Sequence, residues 1–145
     1  RMPDAIQNDF VGFLAYASAG FTPGTSPAKI TFDVEEYDTR NNHTGGTFTA
    51  PRSGFYRATV VLSFTTSTGA TNTALYAKLY KNGSLYAESY AMGIGSTRDD
   101  TATVNRVLYL NAGDTLEAYG EQETAANYGC LAGATGSYFA VELVK

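Results

Sequence analysis

Only one histidine and one cysteine occur in this chain of 145 residues, which leaves few ways to build a catalytic centre. His43, in "TRNNHTGG", has Asp38 nearby and many Ser and Thr hydroxyls to choose from. Those are the parts of a hydrolytic triad: nucleophile, base and orienting carboxylate. No Gly-x-Ser-x-Gly elbow exists to expose such a hydroxyl, so a solvated loop histidine is the preferred reading. A structural zinc site would lack ligands within a single chain. Cys130, in "NYGCLAGATG", has no basic neighbour to favour its thiolate and reads as a small buried filler. Glu35-Glu36 could suggest a glycosidase acid and base, but adjacent side chains on a strand point to opposite faces and cannot flank one bond.

Asp99-Asp100, in "GSTRDDTATV", is the polar pair with most promise. Calcium takes several oxygen ligands and favours carboxylates on loops, which makes the pair a candidate calcium site. The plainer reading is an acidic loop that discourages unwanted edge pairing. Asn42-His43-Thr44 and Asn82-Gly83-Ser84 match the N-glycosylation pattern. In a chain rich in Thr and Asn, chance occurrence is the simpler explanation.

Those side chains need a scaffold, and bulk properties limit its type. The length suits one domain with a real core. An apolar fraction of 43% argues against disorder, and charged residues make up only 17%. The net charge of −4 and the scattered lysines and arginines offer no footprint for nucleic acid or anionic membrane. One cysteine excludes an intrachain disulfide. Neither a signal peptide nor a transmembrane stretch is visible. The opening Arg1-Met2 suggests a domain cut from a longer chain.

No helical period persists along the sequence. Short apolar and aromatic runs alternate with Gly, Asn, Asp, Pro and Ser clusters, as in a sandwich or barrel. The pattern predicts strands over 10–17, 29–34, 46–49, 54–66, 73–81, 85–91, 101–110, 115–121 and 136–144. Asn82-Gly83 should close a tight hairpin, since both residues accept positive φ. In "LYAKLYKNG", Leu75, Ala77 and Leu79 share one face while Tyr76, Lys78 and Tyr80 share the other. In "FYRATVVLSF", Tyr56, Ala58, Val60, Leu62 and Phe64 oppose Phe55, Val61 and Ser63. Neither strand has a purely polar face, so a second contact surface is expected beyond the protomer core.

Five segments in order carry a family resemblance. "TFTAPRSGFY" resembles the signature of the C1q-type globular head, through Phe48, Thr49, Pro51, Gly54 and Tyr56. "ITFDVEEYDTRNN" is similar to the strand and Tyr-Asp turn before that signature, and "LYKNGSLYAES" to its Leu-x-Lys-Asn-Gly hairpin. "VLYLNAGDTLEAY" resembles the Leu-x-Leu-x-x-Gly-Asp-x-Leu segment, and "SYFAVELV" the closing strand, with Ala140 where the family usually has Gly. The absence of Trp and the lone Cys130 look more like bacterial, viral or invertebrate members than vertebrate complement chains.

The resemblance, to the C1q and tumour necrosis factor superfamily, implies an all-β, ten-stranded antiparallel jelly roll assembling as a compact homotrimer. Residues 1–145 would form one head domain, the C-terminal part of a longer fibrous protein with a collagen-like or other stalk. Such a head is extracellular, on a cell surface or on a virion, is not an enzyme, and recognises a glycan or protein receptor. A purely structural trimerisation cap is the alternative, with a hydrolase a distant third. Some family members bind calcium through an aspartate at the position of Asp100, but the partner aspartate eight residues earlier is Met92 here. Ligand contacts are expected on the loops "TRNNHTGG", "TSTGATNT", "GIGSTRDD" and "EQETAANYG", with Arg40, His43, Arg98 and Tyr128 as candidates.

Overall fold

A computed structural model describes residues 10–66, 71–94 and 100–145. The chain folds into two antiparallel sheets packed face to face. Twelve strand segments follow in order: β1 (Gly12–Tyr16), β2 (Ala28–Lys29), β3 (Val34–Asp38), β4 (His43–Thr44), β5 (Thr47–Thr49), β6 (Gly54–Thr66), β7 (Asn72–Lys81), β8 (Ser84–Ile94), β9 (Asp100–Leu110), β10 (Thr115–Gln122), β11 (Tyr128–Cys130) and β12 (Tyr138–Leu143).

The first sheet runs β9-β6-β12-β1-β3, and the second runs β4-β5-β10-β7-β8. Together these are the ten strands of a jelly roll. Two short segments are additions, β2 pairing with β10 and β11 with β6. No chain neighbours in sequence are joined within the first sheet's core, so its closure depends on pairings between distant segments.

β6 is the spine of the first sheet, 13 residues long, with β9 along one side and β12 then β11 along the other. Its length follows from its composition: β-branched and aromatic residues throughout, with Pro51 and Gly54 marking its start. Gly54 is required there, because a Cβ would sit 2.7 Å from the Lys145 carbonyl oxygen. Alternation then sends Tyr56, Ala58, Val60, Leu62 and Phe64 inward, all at 0% exposure.

β7 faces them across the interior with Leu75, Ala77 and Leu79, and β10 with Leu116 and Ala118. An aromatic cluster of Phe13, Phe48, Tyr56 and Phe139 fills one end, with rings 5.0–5.7 Å apart. Each such fully buried ring or branched aliphatic side chain contributes roughly 1.5–3 kcal/mol of transfer free energy. Tyr56 keeps its hydroxyl satisfied by donating to the Arg52 carbonyl at 2.6 Å, and burial raises its pKa. Its place is inside the protomer.

The strand expected over 29–34 is not a single strand. Ile30 and Phe32 are buried as alternation requires, but the chain leaves the second sheet after Lys29 and joins the first at Val34. The buried alternation thus comes from a crossing between the layers. The Asn82-Gly83 hairpin forms as expected, with φ of 50° and 81°.

Candidate functional site

The outward face of the first sheet is apolar at its periphery and small at its centre. Pairing brings Phe55 opposite Tyr109, Arg57 opposite Val107, and Thr59 opposite Ala140, with Leu14 beyond. Tyr16, Tyr138 and Val61 form the next row. Phe55, Val107 and Tyr109 are each about half exposed, and the Phe55 and Tyr109 rings meet edge to face at 5.3 Å. Beside them, over β3, β6 and β12, the surface dips into a hollow of about 200 Å³ walled by Tyr37, Arg57, Thr59 and Ala140. One ion pair crosses this face, Arg57 to Glu142 at 2.9 Å.

The outward face of the second sheet is organised differently. Lys78 lies between Glu121 at 2.5 Å and Glu88 at 3.2 Å, with its ammonium 5.1 Å from the Tyr76 ring centre. Burial alone would lower the Lys78 pKa, but hydrogen bonds to Glu121 and Glu88 outweigh it and hold the group above its usual value. Lys29 pairs with Glu117 at 2.6 Å, and Thr47 donates to the same carboxylate at 2.9 Å. Desolvation acts to raise the Glu117 pKa, yet these donors bring it below the usual value. The tyrosines pair as well, Tyr80 on Tyr119 at 4.0 Å and Tyr76 near Tyr90 at 5.7 Å.

His43 is not a solvated loop residue. Asn41 at φ 59° and the Gly45-Gly46 turn at 59° and 83° fold β4 back on β5, so His43 pairs with Phe48 and is 3% exposed. Its ring stacks on Phe13 at 4.3 Å, Nδ1 lies 3.1 Å from Glu35 Oε1, and Nε2 has no hydrogen-bond partner. Asp38, the would-be orienting carboxylate, instead accepts backbone N–H groups from Arg40, Asn42 and His43, the last at 2.8 Å. It is the clasp of the turn. The Gly-Gly pair following "NNHT" was the available signal for this hairpin.

Tyr128 is also withdrawn from solvent, at 0% exposure. Gln122 causes this by donating to the Tyr128 and Pro23 carbonyls at 2.9 and 2.6 Å and accepting from Tyr128 N–H at 3.1 Å. The ring then fills the space left by Gly93, where a Cβ would come within 2.4 Å of it. As a ligand-contacting residue, Tyr128 is excluded by this packing. Arg40 is exposed on the β3–β4 turn, beside Arg52 and Pro51. Arg98 and Asp99 lie outside the described residues, as does part of the loop "TSTGATNT".

Asp100 opens β9 opposite Phe64, half-buried, with Oδ2 out of solvent and without a hydrogen-bond partner among the described residues. Among the described residues no group of three His, Cys, Asp or Glu side chains could hold a metal. One orphaned carboxylate oxygen falls well short of the oxygens calcium takes, and Met92 is half exposed on β8. Cys130 is buried, and desolvation pushes its thiol well above the usual pKa, so it is not poised as a nucleophile. Neither sequon amide is free in solvent: Asn42 Nδ2 is buried, and Asn82 Nδ2 donates to Asp114 at 3.0 Å.

No protein-family model and no curated protein matches this sequence. Solved structures do match it. Eiger TNF from S. frugiperda superposes with a TM-score of 0.71 at 13% identity, covering 94% of this chain and 93% of that one. The globular domain of zebrafish complement 1qA protein gives 0.62 at 15% identity, covering 93% and 98%. The chain has the fold these two share, a C1q/TNF-like jelly roll, over nearly its whole length.

Proposed function

We propose that this chain is a non-enzymatic head domain that assembles as a homotrimer at the C-terminal tip of a fibre or collagen-like stalk, outside the cell or on a virion, where it recognises a protein or glycan receptor. The observation behind the trimer is the outward face of the first sheet. Phe55, Val107 and Tyr109 form an exposed apolar patch on β6 and β9 beside Thr59 and Ala140, whose small side chains let another surface approach closely. Such a face resembles an obligate interface more than a solvated sheet. Tyr109 then acquires a place, whereas Tyr76 and Tyr80 lie on the outward face of the second sheet, paired with Tyr90 and Tyr119.

The non-enzymatic reading is supported by what has become of the chain's few reactive groups. Its single histidine is stacked among phenylalanines, its single cysteine is buried, and Asp38 is committed to backbone donors. Recognition would rest on three copies, since avidity lets weak single contacts suffice. Sedimentation equilibrium at micromolar concentration tests the assembly. A sharp species of three times 15.5 kDa is expected, and a stable monomer would overturn it. A folded trimer with no binding across glycan arrays and cell surfaces would favour the alternative, a stalk clamp without a ligand.

A further inference from the structure

The loop between β1 and β2 and the segment leading into β3 line a half-open cavity of about 430 Å³, which shares no lining residue with the hollow on the first sheet's outward face. Its volume lies within the range of pockets that hold small molecules or single side chains. The floor is apolar, made by Phe21, Pro23 and Ile30 over Gly120. Gly120 allows this closeness, since a Cβ would come within 3.3 Å of Leu62 and Pro23.

Two charged residues line the cavity, and they are not equivalent. The Lys29 ammonium is turned to Thr47 Oγ1 and Glu117 Oε2, each at 2.6 Å, and its charge is matched there. Asp33 accepts hydrogen bonds from Ser18 N–H at 2.9 Å and Ser18 Oγ at 2.5 Å, both neutral donors. These bonds hold its carboxyl below the usual carboxylate pKa, and it has no cationic partner among the described residues. A largely apolar cavity therefore opens beside an exposed carboxylate that has no cationic partner among the described residues.

We propose that this cavity receives a lysine or arginine side chain from a protein partner, the methylene stem lying on Phe21, Pro23 and Ile30 and the cationic head meeting Asp33. A long stem ending in a cation is what an apolar floor and a marginal carboxylate complement. A neutral sugar would leave the carboxylate charge unmatched, and an anion would be repelled. The Phe21 ring adds a face on which a cation or its stem can rest. This deepens the recognition reading and rests on it in one respect, that the occupant belongs to a protein. The cavity itself is complete within one chain.

The test is an amide-resolved NMR titration of the whole domain with N-acetyl-lysine methylamide, N-acetyl-arginine methylamide and the uncharged N-acetyl-norleucine methylamide. The two cationic probes should give saturable shifts confined to residues 17–33 and Gly120, with norleucine weaker by about tenfold or more. Asp33→Asn keeps an acceptor for Ser18 and should weaken both cationic probes by about tenfold. Ala28→Tyr, on the exposed rim, should block all three. Equal binding of norleucine, tighter binding of an uncharged sugar, unchanged affinity in Asp33→Asn, or shifts located elsewhere would each overturn the proposal. Sedimentation of the same samples reads the assembly separately, so a binding monomer sinks the trimer alone and a non-binding trimer sinks only the cavity.

Discussion

On the second sheet the outward charges pair along β7 and β10, and exposed apolar side chains such as Leu85, Tyr90, Met92 and Ile94 gather on the edge strand β8, whereas the first sheet sets Phe55, Val107 and Tyr109 beside the hollow over Thr59 and Ala140. Both sheets are tyrosine-rich outside and equally apolar inside, so composition does not separate them. Cross-strand pairing is alike as well, with Glu88 and Tyr119 opposite Lys78 and Glu142 and Val107 opposite Arg57. What separates them is how far the cation is withdrawn from water, the Lys78 side chain being 11% exposed and that of Arg57 47%. The middle of the second face, where charges are neutralised locally and rings pair, has little to gain from a partner, and its exposed apolar side chains lie along the edge strand β8. A face with half-exposed rings beside a shallow hollow gains a great deal.

The largest expected effect comes from placing a charge in the hollow of the first face. Ala140→Arg should abolish assembly, with the sedimenting mass falling to 15.5 kDa, because a buried unpaired cation at an interface costs about 3–5 kcal/mol. Tyr90→Arg, on the second face, should leave the mass unchanged. If Tyr90→Arg dissociates the assembly and Ala140→Arg does not, the two faces have been assigned the wrong way round.

Next in size is Lys78→Met, which should lower stability by about 2 kcal/mol by leaving Glu121 and Glu88 facing each other without a cation. Chemical denaturation reads this directly. Because the Lys78 pKa is raised on folding, its contribution is complete below the ordinary lysine value and fades as pH climbs through the folded one.

Acid should act on the same face with a smaller effect. The Glu117 pKa is lowered on folding, so its contribution is present above the ordinary value of 4.5 and is lost as pH falls through the folded one. Melting temperature should therefore drop below about pH 4, and Lys29→Met should flatten that drop by about 0.5 kcal/mol or less. The smallest effect concerns Asp100, at the start of β9 opposite Phe64. A chelator should leave the melting temperature where it was, and a decrease that Asp100→Ala abolishes would instead add calcium to the account.

Much of the sandwich could be read from the sequence. The period of two in "FYRATVVLSF" and "LYAKLYKNG" sorted the residues of β6 and β7 into the two faces the structure shows, but with no purely polar side it left open which face turns inward. His43 and Tyr128 were misplaced for a common reason. Each lies in a polar, loop-like stretch, and each is carried inward by backbone geometry, the Gly45-Gly46 turn for one and the Gln122 clamp for the other. Ile30 and Phe32 misled in the opposite way, since alternating burial can arise where a chain crosses between layers as well as within a sheet. The charge imbalance at Asp33 had no signature in sequence, because it depends on Glu117, far along the chain, claiming Lys29.

The β7–β8 turn carries one more consequence, a matter of chemical ageing. Asn-Gly pairs are prone to lose the side-chain amide when the next backbone nitrogen attacks it, and Gly83 leaves that nitrogen unshielded. Here Asn82 is held at both ends, its oxygen accepting from Thr115 N–H at 2.8 Å and its nitrogen donating to Asp114 at 3.0 Å. The amide must break both bonds before it can react. Conversion to aspartate would set a second carboxylate against Asp114, so the bonds that fix the hairpin also slow the reaction that would unpick it.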